Sequence, residues 1–161
     1  MIKVEIINGS QNELPKYETE GAAGMDVRAE LSLINEKTIL KDAYLNDEGN
    51  LVIKPLGRAQ IPTGLKVAIP NGYEIQVRSR SGLAIKKGLI IANSVGCVDS
   101  DFRGGICVLV LNCSNEDIII PKGERIAQFI LSSVEQISWK SVEVLSETKR
   151  GEGGFGHTGT K

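Results

Sequence analysis

The chain has 161 residues, of which 41% are hydrophobic and only 4% aromatic, and its formal net charge is −1. This length suits one domain whose core is built mainly from Val, Ile, Leu and Ala. The near-neutral charge excludes a global attraction to nucleic acid or to an acidic membrane, and no apolar run approaches the roughly 18 residues that span a bilayer.

The predicted elements are short strands rich in Val and Ile, several with alternating apolar and polar residues, separated by turn signals. In chain order these are IKVEII (2–7), GRAQIPTGLKVAIP (57–70), YEIQVRS (73–79), LIIANSVG (89–96), GICVLVLNCS (105–114), EDIIIP (116–121), RIAQFILSSV (125–134) and SWKSVEVL (138–145). The pattern predicts an all-β sandwich or barrel.

Three segments depart from the strand pattern. KTILKDAY (37–44) is weakly typical of a helix, and residues 34–57 are polar in the middle, which predicts a surface excursion or an additional hairpin. From about residue 147 the composition collapses to Lys, Arg and Gly. We therefore predict a β domain over 1–147 and a mobile, glycine-rich C-terminal tail over 148–161.

Cysteine usage bears on the compartment. Cys97, Cys107 and Cys113 form no CxxC pair, and the N-terminal MIKVEIING lacks the apolar region of a signal peptide. An odd number of cysteines without an export signal favours reduced thiols. We expect a cytoplasmic protein, or one of the host cytoplasm if the gene is viral, with neither membrane nor nucleic acid as partner.

Two stretches pair small or apolar residues with isolated charges. AAGMDVRA (22–29) places Asp26 at the start of a strand, where a simple turn aspartate is the alternative interpretation. GERIAQFIL (123–131) has Arg125 and Gln128 within an otherwise apolar strand. A half-buried Arg needs an acidic partner or an anion, and Asp26 is a candidate partner.

The stretch VRSRSGLAIKKG (77–88) predicts a phosphate site. Arg80, Ser81 and Gly82 combine a guanidinium, a hydroxyl and accessible backbone N–H groups within one tight turn. Such groups suit phosphate oxygens, although the spacing is not that of a P-loop and a solvated polar turn is the alternative.

The stretch ANSVGCVDSDFRGGI (92–106) predicts a hairpin with two acids, one aromatic residue and one Arg near its tip. A strand edge here offers backbone N–H and C=O groups to a planar ligand. Asp99 is a candidate general base that activates a water. The alternative is a solvated Asp-Ser-Asp turn.

The tail, RGEGGFGHTGT (150–160), combines five glycines with Phe155 and the single histidine. Plain disorder is the simpler interpretation of such a composition.

Five motifs in chain order, AAGMD, RSGLA, GCVDSDFRG, GERIAQFI and RGEGGFGHTG, cover residues 22–159. Together they resemble the trimeric deoxyuridine triphosphatases. The resemblance implies a distorted jelly-roll (β-clip) subunit in a homotrimer, each active site being shared by three subunits. It also implies hydrolysis of dUTP to dUMP and pyrophosphate with Mg²⁺ on the triphosphate, which keeps uracil out of DNA and supplies dUMP for thymidylate synthesis.

The resemblance assigns a role to residues in every motif. Asp99 would activate the attacking water and meet the sugar 3′-hydroxyl. The residues implied to bind uracil and deoxyribose are Asn93, Gly96, Cys97, Val98, Phe102, Cys107 and Phe155. Those implied to bind phosphate are Arg80, Ser81, Gly82, Gln128, Arg150, Gly156, His157 and Thr158. Asp26 would either act on the metal through water or orient Arg125.

Within these assignments, Cys107 is expected on the returning strand of the hairpin that starts at Asn93, and Phe155 is expected to stack over uracil. Phe102 and His157 stand where many relatives have Tyr and Ser. The Phe102 ring would still pack under the deoxyribose, and His157 would still donate to phosphate with some dependence on pH.

Two alternatives differ from this hypothesis. The dCTP deaminases share the fold and parts of the motifs, but their deaminating members carry a Glu ten residues after the third-motif Asp, where this chain has Leu109. Without that carboxyl, deamination lacks its proton shuttle. An inactive β-sandwich binding module would predict damage to Asp99, Arg80 or Phe155, and all three are intact.

Overall fold

Antiparallel pairing organises the strands of this computed structural model, which describes residues 1–155. In chain order the strands are β1 (Glu5–Asn8), β2 (Met25–Arg28), β3 (Leu40–Leu45), β4 (Leu51–Pro62), β5 (Leu65–Ala68), β6 (Tyr73–Arg78), β7 (Leu89–Ile91), β8 (Gly96–Val98), β9 (Cys107–Asn112), β10 (Ile118–Ile120) and β11 (Arg125–Ser133). A 3₁₀ turn covers Leu31–Leu33, and helix α1 covers Ser81–Lys87. The predicted all-β class and jelly-roll architecture are confirmed.

The strands form three sheets. The largest has the order β10-β4-β9-β7, with β3 also paired to β4, and the second has the order β2-β11-β6-β8. The smallest sheet joins β1 to β5. Strands β7 and β8 follow each other in the chain but belong to different sheets, so residues 92–95 cross from one sheet to the other.

Branched aliphatic side chains fill the core, as the low aromatic content predicts. Ile53, Ile61, Val108 and Val110 are fully buried on the large sheet. Phe129 is the one aromatic residue among the buried hydrophobic side chains of the described residues. β-branched residues suit this role because their stiff side chains pack well on a pleated surface.

The additional hairpin predicted within 34–57 is confirmed as β3 and β4, joined at a turn where the Asn46 side chain accepts from the backbone N–H of Glu48 and Asn50. The weak helix predicted over 37–44 is wrong, because this stretch contains β3. A bulge at Asp42, whose φ is 51°, lets the strand follow β4. Gly57 allows the approach, since a Cβ there would lie 2.5 Å from the Asp42 carbonyl oxygen.

Helix α1 replaces part of the tight turn predicted at 80–82. It has only 7 residues and buries one of them, Leu83, so it leaves almost no helical periodicity in the sequence. It ends at Gly88, which adopts a left-handed conformation with φ of 71°. Among the described residues, no helix is long and apolar enough to cross a membrane.

The predicted strand over 138–145 is wrong. The last strand ends at Ser133, and Trp139 and Leu145 are 89% and 81% exposed. Within the described residues no strand lies beside this segment, so its alternating sequence finds no ladder partner for its backbone.

Candidate active site

Asp26 lies at the centre of a polar cluster on the sheet β2-β11-β6-β8. Its Oδ1 accepts hydrogen bonds from Arg80 Nε and Gln128 Nε2, each at 3.1 Å, and its Oδ2 lies 3.1 Å from Arg125 Nη1. The Asp26 side chain is only 11% exposed. The expected contact between Asp26 and Arg125 is confirmed, and Arg80 is an additional partner.

Strand register brings this cluster together from distant parts of the chain. Gln128 pairs with Asp26 on one side of β11 and with Arg78 on the other. Arg80 follows β6 and reaches back across the sheet, where its Nη1 donates to the Arg125 carbonyl oxygen at 2.9 Å. The guanidinium of Arg80 is therefore fixed in place before any ligand arrives, because two of its nitrogens already have partners in the protein.

The start of helix α1 lies beside this cluster. The backbone N–H groups of Leu83 and Ala84 donate to the Arg80 carbonyl oxygen. Ser81 and Gly82 precede these bonds, in the first turn of a helix, where N–H groups have no intrahelical partner. Arg80, Ser81 and Gly82 thus present cationic and N–H donors together, as the sequence predicted for a phosphate site.

A cavity of about 280 Å³ lies between the two larger sheets. Its lining combines the expected residues of the third motif with residues of β4, β6 and β9, namely Gln60, Val77, Asn93, Gly96, Cys97, Val98, Asp99, Phe102, Gly105, Ile106, Cys107 and Leu109. We call it the inter-sheet pocket.

Strand β8 forms one wall of the inter-sheet pocket. It ends its sheet, since it pairs with β6 and with no second strand in the described residues. The single hairpin expected from Asn93 to Cys107 is wrong, because β9 pairs with β4 and β7 instead. Cys107 still lines the pocket, from the opposite sheet, and β8 keeps a backbone edge without a strand partner.

Glycines permit the close approaches around this wall. A Cβ at Gly96 would lie 3.0 Å from Val77 Cβ and 3.4 Å from Asn93 Nδ2. A Cβ at Gly104 would lie 2.6 Å from the Phe102 ring, which is 43% exposed. Any larger residue at these two positions would displace β8 or the Phe102 ring.

Asp99 follows β8 directly and lines two cavities. One is the inter-sheet pocket, and the other is a larger cavity of about 860 Å³ that also has Glu74, Cys97 and Asp101 in its lining. A carboxylate that lines two adjacent cavities can contact a ligand in one and a water in the other.

All three cysteines are free thiols. Burial raises the pKa of Cys107 above its ordinary value. A hydrogen bond to Glu74, followed by burial, raises the pKa of Cys97 to about 11. The Cys97 and Cys107 thiols therefore carry their protons at neutral pH, and neither is activated as a nucleophile.

Residues 148–155, the part of the tail that the structure describes, contribute to none of these cavities. Phe155 is fully exposed, and Arg150 donates from Nε to the Gly153 carbonyl oxygen at 2.7 Å. The predicted phosphate ligands Gly156, His157 and Thr158 lie outside the described residues.

Sequence reasoning missed several residues of the inter-sheet pocket, chiefly Gln60 on β4 and Val77 on β6. Gln60 lies on the less buried face of an alternating strand, so the sequence suggests only a solvated side chain. Its Oε1 instead accepts from the Ile39 backbone N–H at 3.3 Å. Leu109, where a deaminase would carry Glu, also lines this pocket.

Comparisons with known proteins show which family this chain belongs to. A family model for dUTPase matches residues 44–159. Deoxyuridine 5′-triphosphate nucleotidohydrolase of Fusobacterium nucleatum is 52% identical over 158 residues, which cover 98% of this chain and 97% of that protein. The protein of the same name from Finegoldia magna is 50% identical, and the match covers 98% of this chain and 99% of that protein.

Solved structures of dUTPases have the same fold as this chain. A mutant dUTPase of Staphylococcus bacteriophage 80alpha with dUpNHpp superposes with a TM-score of 0.76 at 26% identity over 98% of both chains. A mutant dUTPase of phage phi11 of S. aureus, described as coordinating a structural Mg(II) ion, shares the fold with a TM-score of 0.70 at 20% identity, covering 90% of this chain and 99% of that one.

The polar cluster around Asp26 and the inter-sheet pocket both contain residues of the five sequence motifs. The relatives match this chain over nearly its whole length. The chain therefore belongs to the dUTPase family and hydrolyses dUTP to dUMP and pyrophosphate.

Proposed function

We propose that the inter-sheet pocket binds the deoxyuridine moiety of dUTP and that Asp99 activates the water that attacks the α-phosphorus. The observation that carries this proposal is the edge strand β8, which lines the pocket and leads directly into Asp99. At about 280 Å³ the pocket is slightly smaller than the roughly 300–1,000 Å³ typical of ligand sites, which suits a nucleoside rather than a whole triphosphate.

Uracil is selected by backbone groups. The edge of β8 offers N–H and C=O groups, which match the O4 acceptor and the N3–H donor of uracil and oppose the reversed pattern of cytosine. A site built to hydrogen-bond one pattern rejects the other strongly, by roughly 10⁴–10⁵-fold, because buried polar groups are left unpaired. Asn93, Gly96, Cys97 and Val98 are the residues of this base-reading wall.

The sugar packs on Phe102. Gly104 lets the ring lie close to the backbone, and 43% of the residue remains exposed for contact with a ligand. Packing of the ring against the deoxyribose leaves no room for a 2′-hydroxyl, and Cys107 closes the pocket from β9. Phe155 then stacks over the base from the tail, which is supported by its full exposure in the single chain.

The phosphates bind at the start of helix α1. Arg80 uses Nε and Nη1 within the protein, so Nη2 is the guanidinium nitrogen left to donate to a phosphate. The N–H groups of Ser81 and Gly82 and the amide of Gln128 add neutral donors. Together with Arg150, Gly156, His157 and Thr158 of the tail, they align the triphosphate for attack at the α-phosphorus.

The chemical step moves one proton at Asp99. The carboxylate accepts a hydrogen bond from a water, orients its oxygen towards the α-phosphorus and takes its proton as the new P–O bond forms. The bond between the α-phosphorus and the bridging oxygen breaks, and pyrophosphate leaves with that oxygen. Such a general base contributes about 10²–10⁴ in rate.

Magnesium fits this site as a metal carried by the substrate. Among residues 1–155 no group of three acidic, Cys or His side chains could hold a metal, and both oxygens of Asp26 already face cationic or amide donors. Asp26 orients Arg80 and Arg125, and the resemblance implies that it would act on Mg²⁺ through water. When bound to the triphosphate, Mg²⁺ neutralises charge on the phosphate oxygens.

A homotrimer with shared sites accounts for the separation of these parts. Arg80, Ser81, Gly82 and Gln128 do not line the inter-sheet pocket of their own chain, and Phe155 lines neither cavity that contains Asp99. As the resemblance to the trimeric deoxyuridine triphosphatases implies, one chain would supply the pocket, a second the phosphate-binding helix start and a third the tail.

Pyrophosphate release from dUTP, dCTP, dTTP and UTP, each with Mg²⁺ and with excess EDTA, tests the site as a whole. We expect release from dUTP alone, and only with Mg²⁺. Comparable release from dCTP would contradict base reading by β8, and comparable release from UTP would contradict sugar selection at Phe102.

Mixed oligomers test the shared site. Chains cut after Lys149 are combined with full-length Asp99→Asn chains, so that neither parent has a complete site. If tails act in trans, exchange of subunits restores activity. Absence of recovery after exchange, verified by mass measurement of mixed trimers, would show that each tail serves its own chain.

A further inference from the structure

Strand β8 has little to hold its register. It has only three residues, and it pairs on one side with Ile75, Gln76 and Val77 of β6. Side chains alternate between the two faces of a sheet, so a slip by one residue would exchange the faces of Gly96, Cys97 and Val98. A wall that reads a base with its backbone fails if this register slips.

A side-chain hydrogen bond crosses from β8 to β6. The Cys97 thiol donates to Glu74 Oε2. Cys97 is directly opposite Gln76, and Glu74 lies two residues before Gln76, so the bond joins diagonal neighbours on one face of the sheet. Cys97 is exposed whereas Gly96 and Val98 are buried, which places its side chain on the outer face.

The Glu74 carboxylate is itself held in place. Its Oε1 accepts from Gln76 Nε2 at 2.7 Å, and Gln76 Oε1 accepts from Arg78 Nε at 2.9 Å. These three side chains project from alternate positions of β6 and form a continuous row. The row orients Glu74 towards Cys97, because its other oxygen already has a donor.

The pKa shifts of Cys97 and Glu74 both support this hydrogen bond. The hydrogen bond to Glu74 is the largest cause of the raised pKa of Cys97, and the hydrogen bond from Cys97 is the largest cause of the lowered pKa of Glu74. At neutral pH a protonated thiol therefore faces an ionised carboxylate, which makes the bond charge-assisted.

We propose that Glu74 is a positioning residue for nucleobase recognition, because its bond to Cys97 fixes the register of β8 on β6. The proposal rests on the assignment of the inter-sheet pocket to deoxyuridine. Glu74 acts on the substrate only through β8 and is not a catalytic residue.

Thiol reactivity tests the bond without reference to activity. The full-length protein is treated with iodoacetamide near pH 9, and alkylation of Cys97 is measured by peptide mass spectrometry, with Cys113 as internal reference. In Glu74→Gln the carboxylate charge is lost, and the thiol pKa moves from about 11 towards its ordinary value of 9.0. We expect Cys97 to be alkylated about tenfold faster or more, while Cys113 and the matched control Glu48→Gln are unchanged.

The preference for dUTP over dCTP tests whether the bond between Glu74 and Cys97 affects nucleobase recognition. We expect Cys97→Ala to raise KM for dUTP about tenfold, as for loss of one charge-assisted hydrogen bond, and to lower the ratio of kcat/KM between dUTP and dCTP. Cys97→Ser keeps a hydroxyl donor and should recover most of both losses. Glu74→Ala should match Cys97→Ala, and the double variant should be no worse than either, because both remove the same bond.

The possible outcomes are distinguishable. Unchanged alkylation in Glu74→Gln would show that the bond is absent and would overturn the proposal. Faster alkylation with equal KM and discrimination in Cys97→Ala and Cys97→Ser would overturn the register role but leave the proposed function intact. A wild-type protein without preference for dUTP would instead overturn the assignment of the pocket.

Discussion

The cluster around Asp26 and the inter-sheet pocket prepare their surfaces by different means. In the cluster one carboxylate holds two guanidinium groups and an amide within 3.1 Å. In the pocket the surface is the backbone edge of a three-residue strand, flanked by apolar and small residues. Charged side chains are preorganised by ion pairs, whereas a backbone edge is preorganised only by the register of its strand.

This difference separates two kinds of recognition. Phosphate oxygens accept from any well-placed cation or N–H group, so the cluster needs charge and proximity. A base is identified by the order of its donors and acceptors, so the pocket needs register. Substitutions in the cluster should therefore change affinity for every nucleotide, and substitutions in the pocket should change the choice among them.

Asp99→Asn should have the largest effect, because it removes the base while keeping the shape of the pocket. We expect kcat to fall by about 10²–10⁴ with little change in dUTP affinity. Single-turnover kinetics and equilibrium binding of dUTP measure the two quantities separately. Turnover close to wild type would show that Asp99 is not the base.

Arg80→Ala should have the second-largest effect on activity. It should disrupt the cluster around Asp26 without affecting the inter-sheet pocket. Loss of hydrogen bonds to charged groups costs about 1.5–3 kcal/mol, so KM for dUTP should rise roughly 10–150-fold. The preference for dUTP over dCTP should be unchanged. The exposed Arg58, on β4, provides the matched control Arg58→Ala. A switch of preference towards dCTP in Arg80→Ala would contradict the assignment of phosphate binding to the cluster and of base selection to the pocket.

Phe155→Ala tests the tail, which would cover the pocket and the phosphates together. Stacking of a base on an aromatic ring contributes about 1–3 kcal/mol, and we expect a loss in kcat/KM of that size. Phe155→Tyr keeps the ring and should retain most of the activity. Equal activity of the Ala and Tyr variants would exclude stacking.

Glu30→Gln should have the smallest effect on activity, because Glu30 belongs to neither region. It is 1% exposed, and its oxygens accept from Ser32 Oγ at 2.6 Å and from the Gln11 N–H at 3.1 Å. We expect a loss of about 1–3 kcal/mol in unfolding free energy with kcat/KM unchanged. Chemical denaturation beside steady-state kinetics checks both, and a tenfold loss of kcat/KM in folded protein would contradict the separation.

The same carboxyl predicts a dependence of stability on pH. Burial raises the pKa of Glu30, but hydrogen bonds from Ser32 and Gln11 and the charge of Lys122 outweigh it, so the pKa is lowered from 4.5. The ionised form is thus favoured by folding, and its contribution is present above about pH 4.5 and lost as the pH falls through the lower folded value. Glu30→Gln should weaken this acid-side loss, as thermal unfolding between pH 3 and 7 would show.

Much of the architecture could be predicted because alternation of apolar and polar residues is a local property. It indicated strands at β6, β9 and β11, whereas the hairpin of β3 and β4 was suggested only by the polar middle of 34–57. Alternation gave a wrong prediction at 138–145, where the pattern is present but the described chain has no neighbouring strand. Periodicity also missed helix α1, because 7 residues are too few to show a helical period. Both failures arise because pairing and packing partners are not encoded locally.

The sequence by itself determined the family, the motif residues and the chemistry that their side chains can perform, since these depend on residue type and order. Only the tertiary structure decided that β8 and β9 lie in different sheets, that Arg80 joins Arg125 on Asp26, and that Glu74 holds Cys97. Each of these contacts joins residues from different strands or turns. Its partner is chosen by the register of a whole sheet, which is a cooperative result of packing many side chains at once.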